Sequence, residues 1–176
     1  MVIFINGSFG IGKTTVSRIL RERLPHSTIY DPEPIGVVLL TLARLWPSAA
    51  RVDDFQDLRV WSSVSLHAIG LIRSVRRIVI VPMAFSNVSY LQRFLSYMRS
   101  RDSATFHFCL TAPLAVVRER LAAREVRGAT AWQIRRSEEC CAEHHAPEFA
   151  EHIATEGRSP QEVADEIVAR LGYVRA

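Results

Sequence analysis

The sequence predicts a single domain with a three-layer α/β fold, built on a mainly parallel sheet of about five strands. Three observations carry that prediction. Short β-branched apolar runs alternate with helical repeats along almost the whole chain. The first of these runs opens directly into a glycine-rich loop and then into a helix. The 176 residues are enough to bury one core without disulfides or metals.

Each element has a local reason. Residues 2–6 form an apolar run bounded by glycine, as in a strand covered on both faces. After the loop, Val16, Ile19, Leu20 and Leu24 recur at helical spacing until Pro25 ends the pattern. Residues 27–31 read as a second strand. Residues 34–46 and 54–75 read as two helices parted by Pro47, Ser48, Ala49 and Ala50. RIVIVP, residues 77–82, is a third strand. Asn87 can cap a helix to residue 101, with Leu91, Leu95 and Met98 on one face. A fourth strand covers residues 104–110. Pro113 suits the first turn of a helix that buries Val116, Val117 and Leu121 and ends near Gly128. A helix at 131–145, a short strand at 152–155 and a Ser159-capped helix to 171 complete the chain.

Composition narrows the function. Hydrophobic residues make up 48% and charged residues 23% of the chain, as in an ordinary globular protein. The net charge of +4 could suit nucleic acid, but its arginines are interleaved with carboxylates along the chain, and a phosphate-bearing small molecule explains the excess as well. Three cysteines, two of them adjacent, do not make a disulfide framework, and reduced thiols in a cytoplasmic protein are expected. No signal peptide is expected at the start. The apolar stretch 35–46, interrupted by Thr41 and Arg44, is too short to form a transmembrane segment.

Among the basic residues there is one lysine, Lys13, the others being arginine. It lies in GSFGIGKT, residues 7–14, which matches G-x-x-x-x-G-K-[ST] between a predicted strand and a predicted helix. This is a phosphate loop (P-loop, Walker A). Gly7, Ser8, Phe9, Gly10, Ile11, Gly12, Lys13, Thr14 and Thr15 would hold a nucleotide. Backbone N–H groups and a helix N-terminus converge on the phosphates. Lys13 supplies a compact charge to the β and γ phosphates, and the Thr14 hydroxyl a ligand to Mg2+.

A phosphate loop does not by itself distinguish a kinase from other nucleotide-binding proteins. In YDPEPIG, Asp31 and Glu33 follow the second strand at the edge of an open sheet where ligands bind. Asp31 is the first candidate to take a substrate hydroxyl proton and Glu33 the second, while an Asp-Pro capping turn explains the same residues structurally. Gln56 and Trp61 are candidate substrate contacts, by hydrogen bonding and stacking; Asp54 reads as a helix cap. Arg118, Arg120, Arg124 and Arg127, then Arg135 and Arg136, flank a Gly-Ala-Thr break. Such a hairpin can close arginines over a transferring phosphoryl group. The third strand lacks the terminal carboxylate that commonly supports Mg2+. Cys140 with His144, and Cys141 with His145, stand at i, i+4, but the two pairs point different ways and read as helix surface rather than a metal site.

INGSFGIGKT, the DPE-x-x-G of YDPEPIG, DFQD-x-x-x-W, the strand ending IVP and TAPL-x-x-V-x-x-RL together resemble the tunicamycin-resistance proteins, a branch of the phosphate-loop kinases. The resemblance runs over nearly the full chain. It implies a nucleoside-monophosphate-kinase-like P-loop NTPase fold with sheet order 2-3-1-4-5, acceptor-binding helices at about 34–75 and a helical lid at about 118–145. It also implies ATP in the phosphate loop, Arg120 and Arg124 on the lid, and an adenine-side loop from Thr155 to Ser159. Similarity to chloramphenicol phosphotransferases implies phosphorylation of a drug hydroxyl with Asp31 as base. The expected activity is ATP-dependent phosphoryl transfer to an antibiotic or nucleoside-like hydroxyl. The alternative is an ATP-binding protein that sequesters the drug. A nucleic-acid-dependent ATPase would need a contiguous basic surface that the sequence does not provide.

Overall fold

In the computed structural model, which describes residues 1–45, 52, 54–123 and 130–172, β1 (Val2–Gly7) is buried along its whole length. Its side chains alternate between two cores. Ile3 and Ile5 face one, Val2 and Phe4 the other, as a strand covered on both faces requires. The first core receives Val16 and Leu20 of α1 (Lys13–Arg23), Val117 and Leu121 of α5 (Leu114–Ala122), and Val163 and Ile167 of α7 (Pro160–Arg170). The second receives Trp61 and Ile69 of α3 (Arg59–Val75) with Leu91, Phe94 and Met98 of α4 (Val88–Arg99).

Five parallel strands form the sheet in the order β2-β3-β1-β4-β5. β2 is Ser27–Ile29, β3 Ile78–Met83, β4 Thr105–Thr111 and β5 His152–Ala154. Val2 is in register with Val79 on one side and Thr105 on the other. At the carboxyl end of β1 the buried Asn6 amide accepts from Phe85 N at 2.9 Å and donates to Phe85 O at 3.3 Å. This two-way bond pins the chain leaving β3 beside the loop leaving β1.

Most predicted elements appear within a residue or two of their expected bounds, and the Asn87 and Ser159 caps are both made. Three differ. The helix expected over 54–75 breaks: Asp54 accepts from Gln56 N and caps a short 3-10 helix, Phe55–Asp57, after which an extended Leu58 leads into α3. The second strand is shorter than expected, ending before the Asp31-Pro32 turn that starts α2 (Glu33–Arg44). The helix expected to run to near Gly128 ends at Ala122, with Ala123 as its C-cap. The expected loop of Pro47, Ser48, Ala49 and Ala50, and Arg124, Arg127 and Gly128, lie outside the described residues. Among the described residues no helix is long and apolar enough to cross a membrane.

Candidate active site at the phosphate loop

The phosphate loop runs from the end of β1 into α1, and its glycines make that path possible. Gly12, at φ 106°, precedes the first residue of α1. Gly10, at φ 83°, lies so close to α5 that a Cβ there would stand 2.8 Å from Leu121 Cγ. The first turn of α1 has neither a capping side chain nor an acidic residue, so its N–H groups are left for an anion. Lys13 is buried, and its Nζ donates to Gly7 O and Ser8 O, both at 2.9 Å, 5.1 Å from the centre of the Phe9 ring. Thr14 and Thr15 are exposed at the mouth. The residues present therefore fit a nucleotide's phosphates, with Thr14 placed to hold Mg2+.

A cavity of about 380 Å³ opens in front of this loop. Lys13, Thr14 and Thr15 of the loop line it together with Asp31, Glu33, Pro82 and Gln133. Asp31 is exposed, and its Oδ1 accepts from Glu33 N at 2.9 Å. Asp31 thus makes the local turn and also stands at the cavity, so the two readings of this residue coincide. Burial holds the Glu33 carboxyl above its ordinary pKa; Lys13 opposes the rise, while Asp31 and Asp54 add to it.

A second cavity of about 330 Å³ lies on the other side of Gly10 and Gly12. Ile11, Val16 and Val163 give it apolar walls, and Arg120, Thr155 and Arg158 its polar ones. Arg120 joins the phosphate loop to β5: Nη1 donates to Thr155 Oγ1 at 2.9 Å and Ile11 O at 3.4 Å, and Nη2 to Thr155 O at 2.9 Å. Its walls are thus apolar, edged by two guanidinium groups.

Two expected substrate contacts prove to be internal. Trp61 has no exposed surface; it packs against Phe55, Phe85 and Phe94, and its Nε1 donates to Pro32 O at 3.0 Å. No ring face is left for a ligand to stack on. Its role is to hold the turn that carries Asp31. Gln56 is also buried: Nε2 donates to Ala84 O at 3.1 Å and Oε1 accepts from Arg136 Nη2 at 3.0 Å, so both ends of its amide are occupied.

Among the described residues the arginines of this hairpin do not converge on one point. Arg118 of α5 pairs with Glu138, and Arg135 stands 4.0 Å from Glu139, both carboxylates belonging to α6 (Ala131–Glu143). Arg136 turns inward, with Nη2 3.0 Å from Asp54 Oδ2 and Nη1 3.1 Å from Glu139 Oε2. Here α6 is docked on the phosphate loop: Ser137 Oγ donates to Phe9 O at 3.2 Å, and Trp132 meets the Phe9 ring edge-on at 5.3 Å. Cys140 and His144 of this segment are core residues. Burial pushes the Cys140 thiol up to about 12 and the His144 imidazole down to about 4, with His144 Nε2 2.6 Å from Phe85 O. No metal-binding cluster of three or more His, Cys, Asp or Glu occurs among the described residues.

Sequence reasoning missed the Arg136–Asp54 pair, which spans 82 residues of chain, and the place of Gln133 in the cavity. No local pattern marks either. Trp61 did carry a signal, since Ser65 and Ile69 follow it at successive i+4 steps and all three are buried.

Comparison with known proteins agrees with this geometry. Residues 2–143 match a family model described as an AAA domain. The tunicamycin resistance protein of Deinococcus radiodurans is 33% identical over 98% of this chain and 96% of its own, with a TM-score of 0.76. A gluconokinase from Sinorhizobium meliloti 1021 is 17% identical, covering 97% and 90% of the two chains at a TM-score of 0.66. A shikimate kinase from Acinetobacter baumannii is 16% identical, covering 97% and 92% at 0.63. Comparison with curated protein sequences gives no match. The last two structures share the fold, that of small-molecule kinases. The phosphate loop, the sheet order and the first likeness together place the chain in the AAA-domain family of phosphate-loop proteins, in its tunicamycin-resistance branch.

Proposed function

We propose that this protein is an ATP-dependent phosphotransferase acting on a hydroxyl of a small molecule, of the nucleoside-antibiotic kind that includes tunicamycin. The supporting observation is that one cavity is lined both by Lys13 and Thr14 of the phosphate loop and by the carboxylates of Asp31 and Glu33. ATP with Mg2+ supplies an activated phosphoryl group when bound. Lys13 and the N–H groups of α1 hold the phosphates, Thr14 holds Mg2+, and the slot at Arg120 and Thr155 takes the base. Asp31 orients the acceptor hydroxyl and takes its proton, with Glu33 as the second carboxylate. The whole chain, residues 1–176, acts as one domain. Helices between 34 and 75 support the acceptor side, and the segment 118–145, with Arg124, closes over the phosphates and excludes water.

A second reading has one observation in its favour. β3 runs into Met83, Ala84 and Phe85 without a carboxylate, so an ATP-binding protein that sequesters the drug fits the same cavity. The two are separated by Asp31→Asn, assayed for ATP binding and for transfer to a panel of nucleosides and antibiotics. The phosphotransferase reading expects ATP bound normally with transfer lost; wild-type transfer by the variant would remove Asp31 from the mechanism. A drug bound tightly yet never phosphorylated by wild-type protein would favour sequestration.

A further inference from the structure

Gln133, half-buried, is the one member of α6 among the described residues that line the cavity with Lys13, Thr14 and Asp31. The capping box at the start of α6 orients its amide. Oε1 accepts from Thr130 N at 3.1 Å, and Gln133 N donates to Thr130 Oγ1 at 3.2 Å. Because a backbone N–H has to meet an acceptor, the oxygen end of the amide is the one tied to Thr130. The other end, Nε2 with its two N–H groups, makes no hydrogen bond among the described residues.

The same face of α6 is fastened to the loop that holds the phosphates. Ser137 follows Gln133 by one turn, and its Oγ lies 2.7 Å from Gln133 O and 3.2 Å from Phe9 O. Trp132, the residue before Gln133, meets the Phe9 ring edge-on at 5.3 Å. Gln133 is thus held against the phosphate-loop side of the cavity.

On the reading of this cavity as a phosphotransferase site, we propose that Gln133 is a further catalytic residue, whose Nε2–H donates to an oxygen of the nucleotide's terminal phosphoryl group. The division of labour in the cavity supports this. An acceptor hydroxyl is served by Asp31 and Glu33, whose carboxylates accept, whereas phosphoryl oxygens need donors. Among the described side chains lining the cavity the donors are Lys13, Thr14, Thr15 and Gln133. An N–H whose amide is already fixed at its other end loses little freedom on binding. A neutral donor held in this way also meets the charge that spreads over the phosphoryl oxygens during transfer.

The test reads nucleotide affinity, which does not depend on turnover. Mg-ADP and the Mg complex of the β,γ-imido analogue of ATP differ by the terminal phosphoryl group, and calorimetry measures the binding of each. Gln133→Glu keeps an oxygen for Thr130 N and loses the N–H donors, while Gln133→Met loses both without adding charge. In both variants the imido analogue should bind at least about tenfold more weakly, with Mg-ADP within about twofold of wild type. A loss confined to Gln133→Glu would be repulsion by the new carboxylate, and one confined to Gln133→Met would be loss of the cap; either overturns the proposal. So do equal losses for the two nucleotides, no loss at all, or a Gln133→Met protein that does not fold, which would make the residue structural. Transfer to tunicamycin and nucleosides is followed in parallel, and its kcat should fall about 100-fold in each variant; an unchanged kcat would remove Gln133 from catalysis. Selective loss of the imido analogue, where wild-type protein transfers nothing, would sink the phosphotransferase reading and keep the contact. Transfer by wild type, with the imido analogue bound undiminished by both variants, would do the reverse.

Discussion

Replacing Gly36 by alanine tests how α2 is seated against the segment that holds Arg136. Gly36 is the glycine of DPE-x-x-G, in α2 with ordinary helical torsions, so alanine has no backbone objection there. Taken alone, the change should stabilise a helix by about 1 kcal/mol. Its Cβ, however, would stand 2.5 Å from Phe55 Cγ and 3.0 Å from Cε2. Phe55 is 4% exposed and meets Trp61 edge-on at 5.1 Å, so its ring has no free space to enter. Overpacking of this kind costs about 1–3 kcal/mol. The net loss expected is up to about 2 kcal/mol, or a fall in Tm of up to about 8 °C for a chain of this size. Gly70, inside α3, has nothing within 4 Å of its Cβ position, and Gly70→Ala should raise Tm by about 2–3 °C. Thermal denaturation of the two variants side by side is the assay. A stabilised Gly36→Ala would refute the packing argument. Because Phe55 lies between Asp54 and Gln56, the acceptor KM should also rise while that for ATP holds; the opposite pattern would detach this segment from the acceptor side.

Further expectations follow from the same geometry. His107 and His144 are buried, and burial lowers both to about 4. The unfolded chain therefore binds more protons between about pH 4 and 6.5, and the stability these neutral rings contribute is complete above about 6.5 and lost as pH falls towards 4. The loss is up to roughly 3 kcal/mol for each. Urea midpoints should drop across that window, less steeply in His144→Gln; a flat profile would contradict the assignment. Trp61→Phe keeps the ring packing but removes the bond to Pro32 O, and should lower transfer more than it lowers Tm; unchanged transfer would mean that the Asp31 turn does not depend on that bond. Arg120→Ala should raise the KM for ATP about tenfold or more by opening the slot beside Thr155, and an unchanged KM would place the base elsewhere.

The parts of the fold and site that could be read in the sequence are those written in consecutive residues. GSFGIGKT between a strand and a helix specifies its own conformation through glycine torsions and a helix N-terminus. The Asp31-Pro32 turn, the Asn87 cap and the Ser159 capping box are equally local. Trp61 and Gln56 were misread because polarity and ring size do not say which way a side chain faces. Trp61 had a buried helical stripe beneath it, whereas Gln56 owes its burial to Ala84 and Arg136, distant in sequence. The inward turn of Arg136 was hidden for the same reason: among several arginines on one segment, only the packing of α6 on the phosphate loop separates the one that meets Asp54 from those that face solvent. The break at Leu58 was missed because Asp54 caps a helix in either arrangement, and only the structure shows which helix it caps.

The central claim is that the loop holding Lys13 and the carboxylates facing it are two halves of one reaction. It is tested most directly by the mass of an acceptor recovered after incubation with the protein and Mg-ATP, using tunicamycin among the acceptors. The account predicts a product heavier by one phosphoryl group with wild-type protein, and none with folded Lys13→Ala. Recovery of every acceptor unchanged, in the presence of bound ATP, would contradict it.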